Sequence, residues 1–427
     1  MLLDPLLTAY IRRLSRQHLR FAAETAATEL PPPVADRRYL LYLHVPFCEV
    51  LCPFCSFHRV EFKRNRTQRY FQALRREIQY VTNAGYRFGE LYIGGGTPTV
   101  MQDELAETIS LLREQHPLER VSVETSPAHI EGNRLSVLRS ARVNRLSVGV
   151  QSFDDRLLKE MRRYETYGNG KFIQERLRNI NGVFDTLNVD MIFNFPHQTG
   201  ALLQNDLEIL TDDICVDQVS FYPLMMAKST RKSIHREMGP MDYRRERGFY
   251  EQIAAHMQSA GYRRTSAWCF SRTTAMMDEY IAGNEEYLGL GSGSFSYLGG
   301  TLYATTFSIN RYLRLVEAGG TSLTRNRRLN ERDQMRYYLL MRLFGGLLDL
   351  QVAEARFDNR FRHTLSRVLF GLRLLGAIRS SEGRLSLTDS GYYLWVAMMR
   401  EFFIGVNNFR DEMRHHISEE RDVLPAR

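Results

Sequence analysis

The sequence predicts an α/β fold: a partial (β/α)6 barrel of the TIM type, preceded by a helical extension and followed by a mostly helical, winged-helix-like domain. Three observations carry this prediction. Between residues 40 and 222, short runs rich in β-branched residues alternate with longer segments of helical period. Cysteines, glycines and a carboxylate stand at the ends of several runs, where parallel α/β sheets bind ligands. After about residue 326 the pattern changes to mostly helices.

The alternating region divides into six predicted strands and the helices between them. The strands are predicted at residues 41–45, 90–93, 120–124, 145–150, 188–192 and 218–222. The helices are predicted near residues 67–82, 102–114, 133–141, 171–186 and 202–211. Strands joined by helices pair in parallel, either in a partial barrel or in an open doubly wound sheet. In both arrangements the chemistry belongs at the carboxyl ends of the strands.

The flanking segments have patterns of their own. Residues 6–28 have the pattern of an amphipathic basic helix, and the stiff triplet Pro31-Pro32-Pro33 follows as a linker. Residues 378–387 have the pattern of a small hairpin within the helical C-terminal part. We therefore expect a helical extension at 1–37, a barrel at 38–225, a barrel-completing and substrate-capping region at 226–325, and a helical domain at 326–427.

Composition limits the class of protein. The chain has 427 residues, of which 44% are hydrophobic and 25% charged, and these ordinary values exclude a small disulfide scaffold and a mostly disordered chain. No apolar run reaches the roughly 18 residues of a bilayer span, and no secretory signal is apparent, so we expect a cytoplasmic protein without a membrane partner. The net charge of +8 favours an anionic substrate or a solvated basic surface, and we do not expect a nucleic-acid partner.

Three of the five cysteines, Cys48, Cys52 and Cys55, stand within eight positions directly after the first strand. An odd number of cysteines in this spacing favours metal ligation over disulfides. A [4Fe–4S] cluster normally takes four cysteine thiolates, so three would leave one iron open to a further ligand. The alternative is a zinc ion whose fourth ligand is His58, three residues after Cys55. The spacing leaves both kinds of site open.

Three further features follow the later strands. Residues 94–99 read Gly-Gly-Gly-Thr-Pro-Thr, where missing side chains let a ligand reach the backbone, and the segment lacks the lysine and the spacing of phosphate loops. Glu124 ends the third strand, where a carboxylate can bind a ribose diol or an ammonium group, although an exposed strand-end glutamate has the same pattern. Asp190 lies in the otherwise apolar fifth strand, where a buried charge needs a partner.

Four ordered motifs resemble those of the radical S-adenosylmethionine (SAM) superfamily, in the branch related to oxygen-independent coproporphyrinogen III oxidase. They are residues 42–48 leading into CxxxCxxC, residues 94–99, residues 148–153 and residues 189–196, and the likeness extends to residues 286–293. It covers roughly residues 38 to 400. Four motifs at matching strand ends are more specific than any one of them alone.

The resemblance implies a [4Fe–4S] cluster held by Cys48, Cys52 and Cys55, with SAM bound to its open iron. One electron, from a donor such as flavodoxin or ferredoxin, then cleaves SAM to methionine and a 5′-deoxyadenosyl radical, which a closed site protects. The branch also binds a second SAM. The resemblance implies that the first molecule contacts Tyr42, Gly95, Glu124 and Phe295. It implies that the second contacts Phe54, Gly96, Thr97, Gln151, Arg163, Asp190 and Met225.

The chain departs from the patterns of this branch at three places. Ser56-Phe57 stands where the oxidase has a fourth cysteine two residues after the third, and residues 277–284 lack the HNxxYW stretch of the heme-chaperone relatives. Asn194 replaces the glycine that is usual in the fifth-strand motif. With the oxidase and the chaperone disfavoured in this way, the chain looks most similar to the class C radical methylases, which also bind two SAM molecules.

We therefore expect the second SAM to donate a methyl or methylene carbon to an sp² carbon of a small-molecule substrate. The alternative is oxidative decarboxylation of porphyrinogen propionates, with Arg263, Arg264 and Arg272 as candidates to hold the carboxylates, although surface salt bridges are the plainer explanation of these arginines. A lesser alternative is a non-catalytic protein whose metal site is structural. No motif identifies the substrate or the residue that moves protons.

Overall fold

The structure, a computed structural model, describes residue 21, residues 29–273 and residues 286–415. The predicted N-terminal helix at 6–28 therefore lies outside the described residues, apart from Phe21. Among the described helices, none is both long and apolar enough to cross a membrane.

Six parallel strands form the centre of the fold, as predicted. They are β1 (Arg38–Val45), β2 (Arg87–Gly95), β3 (Arg120–Thr125), β4 (Arg145–Gln151), β5 (Thr186–Phe193) and β6 (Gln218–Pro223). Each strand pairs in parallel with the next one along the chain. All six carboxyl ends therefore meet at one edge of the sheet, and the first cysteine of the motif follows β1 at that edge.

The same sheet continues on both sides of the six strands. The additional strands are β7 (Arg263–Arg264), β8 (Cys269–Ser271), β9 (Tyr287–Leu290), β10 (Phe295–Leu298), β11 (Thr301–Thr305) and β12 (Leu323–Arg328). The strand order is β12-β11-β10-β9-β1-β2-β3-β4-β5-β6-β8-β7. β9 is a seventh parallel strand that the sequence prediction missed, and it pairs with β1 so that Tyr42 lies opposite Gly289.

The helices of the barrel region cover the outside of the sheet close to the predicted positions. Their bounds are Arg64–Asn83, Gln102–Gln115, Asn133–Ser140, Asp155–Glu160, Tyr164–Tyr167, Gly170–Ile180, Gly200–Glu208, Arg231–Met238, Glu246–Ser259 and Ile309–Glu317. The prediction of one helix over 171–186 is wrong at its end. That helix ends at Ile180 because Gly182 takes a left-handed φ of 77°, and β5 already begins at Thr186.

The C-terminal part is mostly helical, as predicted. Its helices are Glu331–Phe344, Leu350–Arg356, Phe361–Thr364, Ser366–Leu374 and Asp389–His415. The predicted hairpin is present as the strands Ile378–Ser381 and Arg384–Leu387, joined by Glu382 and Gly383 with positive φ values of 48° and 75°. Two positive φ values are the signature of the type I′ turn that suits the twist of a hairpin. A third strand, Leu347–Asp349, completes this small antiparallel sheet.

A buried ion cluster attaches the helix Asp389–His415 to the barrel. The Arg400 side chain is 5% exposed and contacts Glu246 of a barrel helix and Glu401 of its own helix, both of whose side chains are fully buried. Breaking a buried pair of this kind on one side leaves an uncompensated charge. These ion pairs therefore fix the helix Asp389–His415, which reaches the carboxyl edge of the barrel at Asn407. The division of the chain at residues 37, 225 and 325 stays a prediction.

Candidate cofactor site

The three cysteines lie on one loop whose base is closed by a short parallel ladder. Phe47–Cys48 pairs with Val60–Glu61, and the Phe62 backbone N–H donates to the Cys48 carbonyl at 2.9 Å. Cys48 and Cys52 are buried and Cys55 is partly exposed. All three side chains are thus presented from a single loop at the carboxyl edge of the sheet.

Burial and the neighbouring thiol of Cys55 raise the pKa of the Cys48 thiol to about 12. The cause is that a buried thiolate loses water and is repelled by the thiolates beside it. A positively charged group among the three sulfurs removes this penalty. The donor set, three neighbouring thiols in a largely buried loop, fits a [4Fe–4S] cluster with one open iron.

Arg59 closes the cysteine loop from its far end. Its guanidinium donates to the Cys52 carbonyl at 2.6 Å and to the Cys55 carbonyl at 2.7 and 3.2 Å. Burial opposes its charge, but the thiols of Cys55 and Cys52 outweigh burial and raise the pKa of Arg59 above its usual value. Neither the cysteine spacing nor the other motifs pointed to this residue.

We expect Arg59→Leu to lose cluster without unfolding the chain. Hydrogen bonds from a charged donor contribute about 1.5–3 kcal/mol, and here they hold two of the three cysteine backbones in place. The measurement is iron per chain after anaerobic reconstitution and gel filtration, and the matched control is Arg64→Leu at an exposed position. Equal iron content in the two variants would contradict a role for Arg59 in holding the loop.

The glycine triplet allows close packing against its neighbours. A Cβ on Gly94 would lie 2.6 Å from Glu124 Oε1, and one on Gly95 would lie 2.9 Å from His44 Cε1. A Cβ on Gly96 would lie 2.9 Å from Cys48 Sγ and 2.6 Å from the Phe47 carbonyl oxygen. The structure thus explains all three glycines by the approach of protein atoms, whereas the sequence pointed to a ligand.

The residue after the triplet touches the cysteine loop as well. Thr97 Oγ1 donates to Cys48 Sγ at 3.8 Å, and the Thr97 backbone N–H donates to the Phe47 carbonyl at 2.8 Å. The predicted site residues Gly96 and Thr97 are therefore in contact with the first predicted cluster ligand.

The Glu124 carboxylate lies at the carboxyl edge of the sheet, beside the end of β2. It accepts hydrogen bonds from the Tyr92 hydroxyl at 3.1 Å and from the Gly95 backbone N–H at 3.0 Å. These bonds fix a carboxylate beside the glycine triplet, where the resemblance places the first SAM. The SAM contact itself stays a prediction.

The Tyr42 hydroxyl is held by a hydrogen bond to His44, a residue for which the sequence predicted no role. His44 Nε2 lies 2.9 Å from the His58 carbonyl, which can only accept, so Nε2 carries the proton. His44 Nδ1 therefore accepts from the Tyr42 hydroxyl at 2.9 Å. Burial lowers the pKa of His44 to about 3, so this ring is neutral at physiological pH.

His58 does not support the zinc alternative. Its Nε2 donates to Ser292 Oγ at 3.1 Å, because the Ser292 hydroxyl itself donates to the Thr306 carbonyl, so only the buried Nδ1 of His58 is left as a possible metal ligand. Within the described part of the chain, no group of three or more histidine, cysteine, aspartate or glutamate side chains lies close enough together to hold one shared metal ion, which argues against zinc. The thiolates of a [4Fe–4S] cluster each bind a separate iron and stand further apart. The three cysteines alone remain as the candidate donor set.

Gln151 and Arg163 both lie near Gly149, close to the end of β4. Gln151 takes a left-handed φ of 79° at a bulge where β4 leaves the regular ladder. Arg163 is buried, donates to the Gly149 carbonyl, and lies 3.6 Å from Cys52 Sγ and over the Tyr167 ring. The predicted contact of Arg163 with a methionine carboxylate stays a prediction.

A buried carboxylate holds the loop after Gln151. Asp206 accepts from the Ser152 hydroxyl and from the Phe153 backbone N–H, both at 2.9 Å. Burial raises the pKa of Asp206 from its ordinary value of 3.8 to about 7, against the effect of these hydrogen bonds. Sequence reasoning missed Asp206, which falls in a predicted surface helix.

Asp206 should make the stability of the chain depend on pH. Because its folded pKa lies above its unfolded value, its contribution to stability is complete below about pH 4 and is lost as the pH rises through about 7. Asp206→Asn should therefore flatten the fall of Tm between pH 4 and pH 8. The control is Asp103→Asn, at an exposed position, which should leave the slope unchanged. A wild-type Tm that does not fall over this range relative to Asp206→Asn would contradict the assignment.

Asp190 belongs to a polar network inside the barrel. It accepts from Ser147 Oγ and from Asn188 Nδ2, both at 2.8 Å. One layer below, the fully buried Arg145 donates to Gln218 Oε1 at 2.8 Å and to Ser122 Oγ at 3.0 Å. Two neighbouring side chains therefore bond this carboxylate, and the predicted SAM contact of Asp190 stays untested.

The remaining predicted contacts are aromatic or apolar. Phe54 is buried, with its ring 6.2 Å from that of Phe195, and Met225 is partly buried against the core. Phe295 lies 6.1 Å from Phe409 of the C-terminal helix and 6.2 Å from Phe21.

The C-terminal helix covers the segment that replaces the fourth cysteine. Asn407 Nδ2 donates to Ser56 Oγ at 2.6 Å. The Arg410 guanidinium lies 5.4 Å from the Phe57 ring and 5.5 Å from the Phe295 ring. The two residues that depart from the oxidase pattern thus contact this helix.

The proposed carboxylate-holding arginines lie at the wrong end of the barrel. Ser271 lies opposite Gln218, the first residue of β6, and the adjacent Arg272 donates to the Cys215 carbonyl below that strand. Arg263 lies opposite Ser271, and Arg264 forms an ion pair with Asp389 at 2.6 Å. These arginines do not face the site, because the loops that carry them return to the amino ends of the strands, and the ion pair of Arg264 fits the plainer explanation as a surface salt bridge.

Comparison with known proteins gives one family match and several relatives. Residues 42–209 match the Radical SAM superfamily. The chain is similar to the heme chaperone HemW of Bacillus subtilis, with 27% identity over 371 residues that cover 83% of this chain and 96% of that protein. It is similar to anaerobilin synthase of Escherichia coli O157:H7, with 27% identity over 392 residues that cover 88% of this chain and 86% of that protein.

A solved structure supports the fold. The structure of coproporphyrinogen III oxidase (HemN) from Escherichia coli, described as a radical SAM enzyme, matches with a TM-score of 0.73 and 24% identity. The match covers 86% of this chain and 90% of that chain. The predicted α/β partial barrel is confirmed by this likeness.

Proposed function

We propose that this chain, whose residues 42–209 form a radical SAM domain of the HemN-like branch, starts radical chemistry on a tetrapyrrole and removes carboxyl groups from its propionate side chains. Radical SAM proteins use a [4Fe–4S] cluster and SAM, which are the cofactors that the motifs predict. When bound, these cofactors supply a 5′-deoxyadenosyl radical that takes a hydrogen atom from the substrate. The second SAM stays a prediction.

The relatives support a tetrapyrrole substrate. The names of two of them refer to heme and to a porphyrinogen, and the alignments extend over most of each chain rather than over the radical SAM domain alone. These names fit the alternative of propionate decarboxylation better than methyl transfer. Methyl transfer was favoured by the departures of this chain from the patterns of the branch.

One observation carries the radical chemistry in this proposal, while the substrate rests on the relatives: three neighbouring thiols lie on a loop at the carboxyl edge of the barrel, with Gly96 and Thr97 packed against Cys48 and Arg163 against Cys52. Cys48, Cys52 and Cys55 would hold the cluster. Glu124, fixed by two hydrogen bonds, would orient SAM beside it. The C-terminal helix packs on the loop through Asn407 and Arg410 and would cover part of the site.

The proposed reaction balances with one external electron acceptor. The propionate β-carbon gives up a hydrogen atom, which completes 5′-deoxyadenosine. The C–C bond to the carboxylate then breaks, CO₂ leaves, one electron passes to the acceptor, and a vinyl group remains. The same site would support methyl transfer if a second SAM were bound, and the presence of Phe57 in place of a fourth cysteine is the feature that favours this second candidate.

The test is anaerobic turnover of the reconstituted full chain with dithionite, SAM, coproporphyrinogen III and an added one-electron acceptor, followed by mass spectrometry. We expect 5′-deoxyadenosine together with a product that has lost CO₂ and gained a vinyl group. S-adenosylhomocysteine together with a one-carbon gain would instead establish methyl transfer. Purified protein that contains zinc and no iron, and that never cleaves SAM, would leave the non-catalytic alternative.

A further inference from the structure

A basic surface lies next to the cysteine loop. It consists of five exposed side chains on the segment 228–236: Lys228, Arg231, Lys232, His235 and Arg236. The sequence has no acidic residue between Asp217 and Glu237, so nothing in the segment itself compensates this charge.

Two hydrogen bonds fix this basic surface in place. Ser233 Oγ donates to the Pro53 carbonyl at 2.9 Å, and Pro53 lies directly after Cys52 in the cysteine loop. The Lys228 backbone N–H donates to Asn408 Oδ1 of the C-terminal helix at 2.8 Å. Below the charges, Ile234 and Met238 are fully buried. The basic surface is therefore rigidly attached beside the predicted cluster.

Most of this charge is available to a partner. Arg236 forms an ion pair with Glu237 at 2.9 Å, and Glu237 also pairs with Arg162 at 2.7 Å. Among the described residues, no carboxylate forms an ion pair with Lys228, Arg231 or Lys232. Salt bridges within the described part of the chain therefore do not account for the charges of these three side chains.

We propose that the basic surface docks a small acidic electron-transfer protein that delivers electrons to the cluster. This inference rests on the proposed function, because reductive cleavage of each SAM consumes one electron, which the carrier supplies as it is oxidised. A basic patch that meets an acidic partner speeds encounter and sets the orientation of docking. The contact between Ser233 and Pro53 places the docked carrier next to the loop that bears Cys52 and Cys55.

The composition of the surface favours a protein over a nucleic acid. Single-stranded nucleic acids are bound by aromatic side chains that stack on bases between basic residues. Residues 227–238 contain no phenylalanine, tyrosine or tryptophan. Binding of an oligonucleotide is therefore treated as an outcome of the test that would overturn the proposal.

The test compares the rate of SAM cleavage by the full-length reconstituted chain with two different electron donors. The variant is Arg231→Glu/Lys232→Glu. The control is Arg367→Glu/Arg373→Glu, which changes two exposed arginines on a different helix, Ser366–Leu374. With reduced flavodoxin as the donor, kcat/KM for the carrier should fall by about tenfold or more in the first variant and lose its salt dependence. With dithionite as the donor, 5′-deoxyadenosine formation should be unchanged in both variants, as should iron content. Charge-conserving Arg231→Lys/Lys232→Arg should restore the flavodoxin-driven rate.

Calorimetric titration with oxidised flavodoxin separates this proposal from the proposed function. If the wild type never cleaves SAM with dithionite, the proposed function fails, and docking is then judged by loss of flavodoxin binding in Arg231→Glu/Lys232→Glu alone. Unchanged flavodoxin binding in that variant overturns the proposal. So does an equal loss of the dithionite-driven rate, or loss of oligonucleotide binding while flavodoxin binding persists.

Discussion

Cys55→Ser is expected to remove the cluster and reduce SAM cleavage to background. A hydroxyl has a far higher pKa than a thiol and is a poor ligand for iron, and a site with only three protein donors has no spare donor to replace it. Cys55 is also held by Arg59 through its carbonyl, so its backbone position survives the substitution. The loss would therefore report on the missing thiolate rather than on a collapsed loop. The measurement is iron and sulfide per chain, with 5′-deoxyadenosine as the second readout.

Cys215→Ser is the matched control for this experiment. Cys215 lies at the amino end of β6, where its thiol donates to the Thr211 carbonyl at 3.1 Å, a bond that serine can also make. We expect iron content and SAM cleavage equal to wild type. Should Cys55→Ser retain a full cluster while Cys215→Ser does not, the assignment of the cysteine motif as the cluster site would be wrong.

The six central strands were predictable because a parallel α/β sheet imposes a strong pattern, whereas β9 and the other flanking strands were missed. The lumen-facing positions of β4 are Arg145, Ser147, Gly149 and Gln151, and the alternating residues between them are buried apolar side chains. Period-two alternation with one polar side identifies a strand and assigns its faces. The helices were predictable in place, and their ends were displaced where a glycine such as Gly182 took a left-handed conformation.

The predicted site residues came from motifs, and the structure brings several of them to one edge. Gly96, Thr97 and Arg163 touch the cysteine loop, whereas Asp190 is satisfied inside the lumen by side chains from β4 and β5. Asn194, which departs from the family glycine, has a φ of 68°. Asparagine tolerates this left-handed conformation, so the substitution preserves the backbone that a glycine would provide.

The residues that sequence reasoning missed act across long sequence separations. Glu77 accepts from the Gly291 and Ser322 backbone N–H groups and from the Tyr312 hydroxyl, at 3.0, 2.7 and 3.0 Å. One signal was present, because Glu77 occupies the buried face of its helix with Leu74 and Val81. Its partners lie more than 200 residues away, and no local pattern identifies them. The same holds for Asn407, whose partner Ser56 lies in the cysteine loop.

Gly96→Ala is expected to displace the cysteine loop directly, because the two nearest obstacles are backbone atoms and the third is Cys48 Sγ. The new Cβ would lie 2.6 Å from the Phe47 carbonyl oxygen, 2.8 Å from the Pro46 carbonyl carbon and 2.9 Å from Cys48 Sγ. Overpacking of this kind costs about 1–3 kcal/mol when the neighbours are side chains that can move. Here relief requires the chain that carries Cys48 to shift away from Cys52 and Cys55, so cluster content should fall steeply while the helices stay folded.

Gly248→Ala isolates the effect of that contact from the general effect of replacing glycine. Gly248 lies in the helix Glu246–Ser259 with open space around its Cα, so alanine should raise stability by about 1 kcal/mol through helix propensity and leave the cluster intact. The measurements are iron per chain and Tm of the two variants side by side. If Gly96→Ala binds iron as well as Gly248→Ala does, then the cysteine loop can move independently of β2. The close contact between the glycine triplet and Cys48 would in that case have no part in holding the cluster.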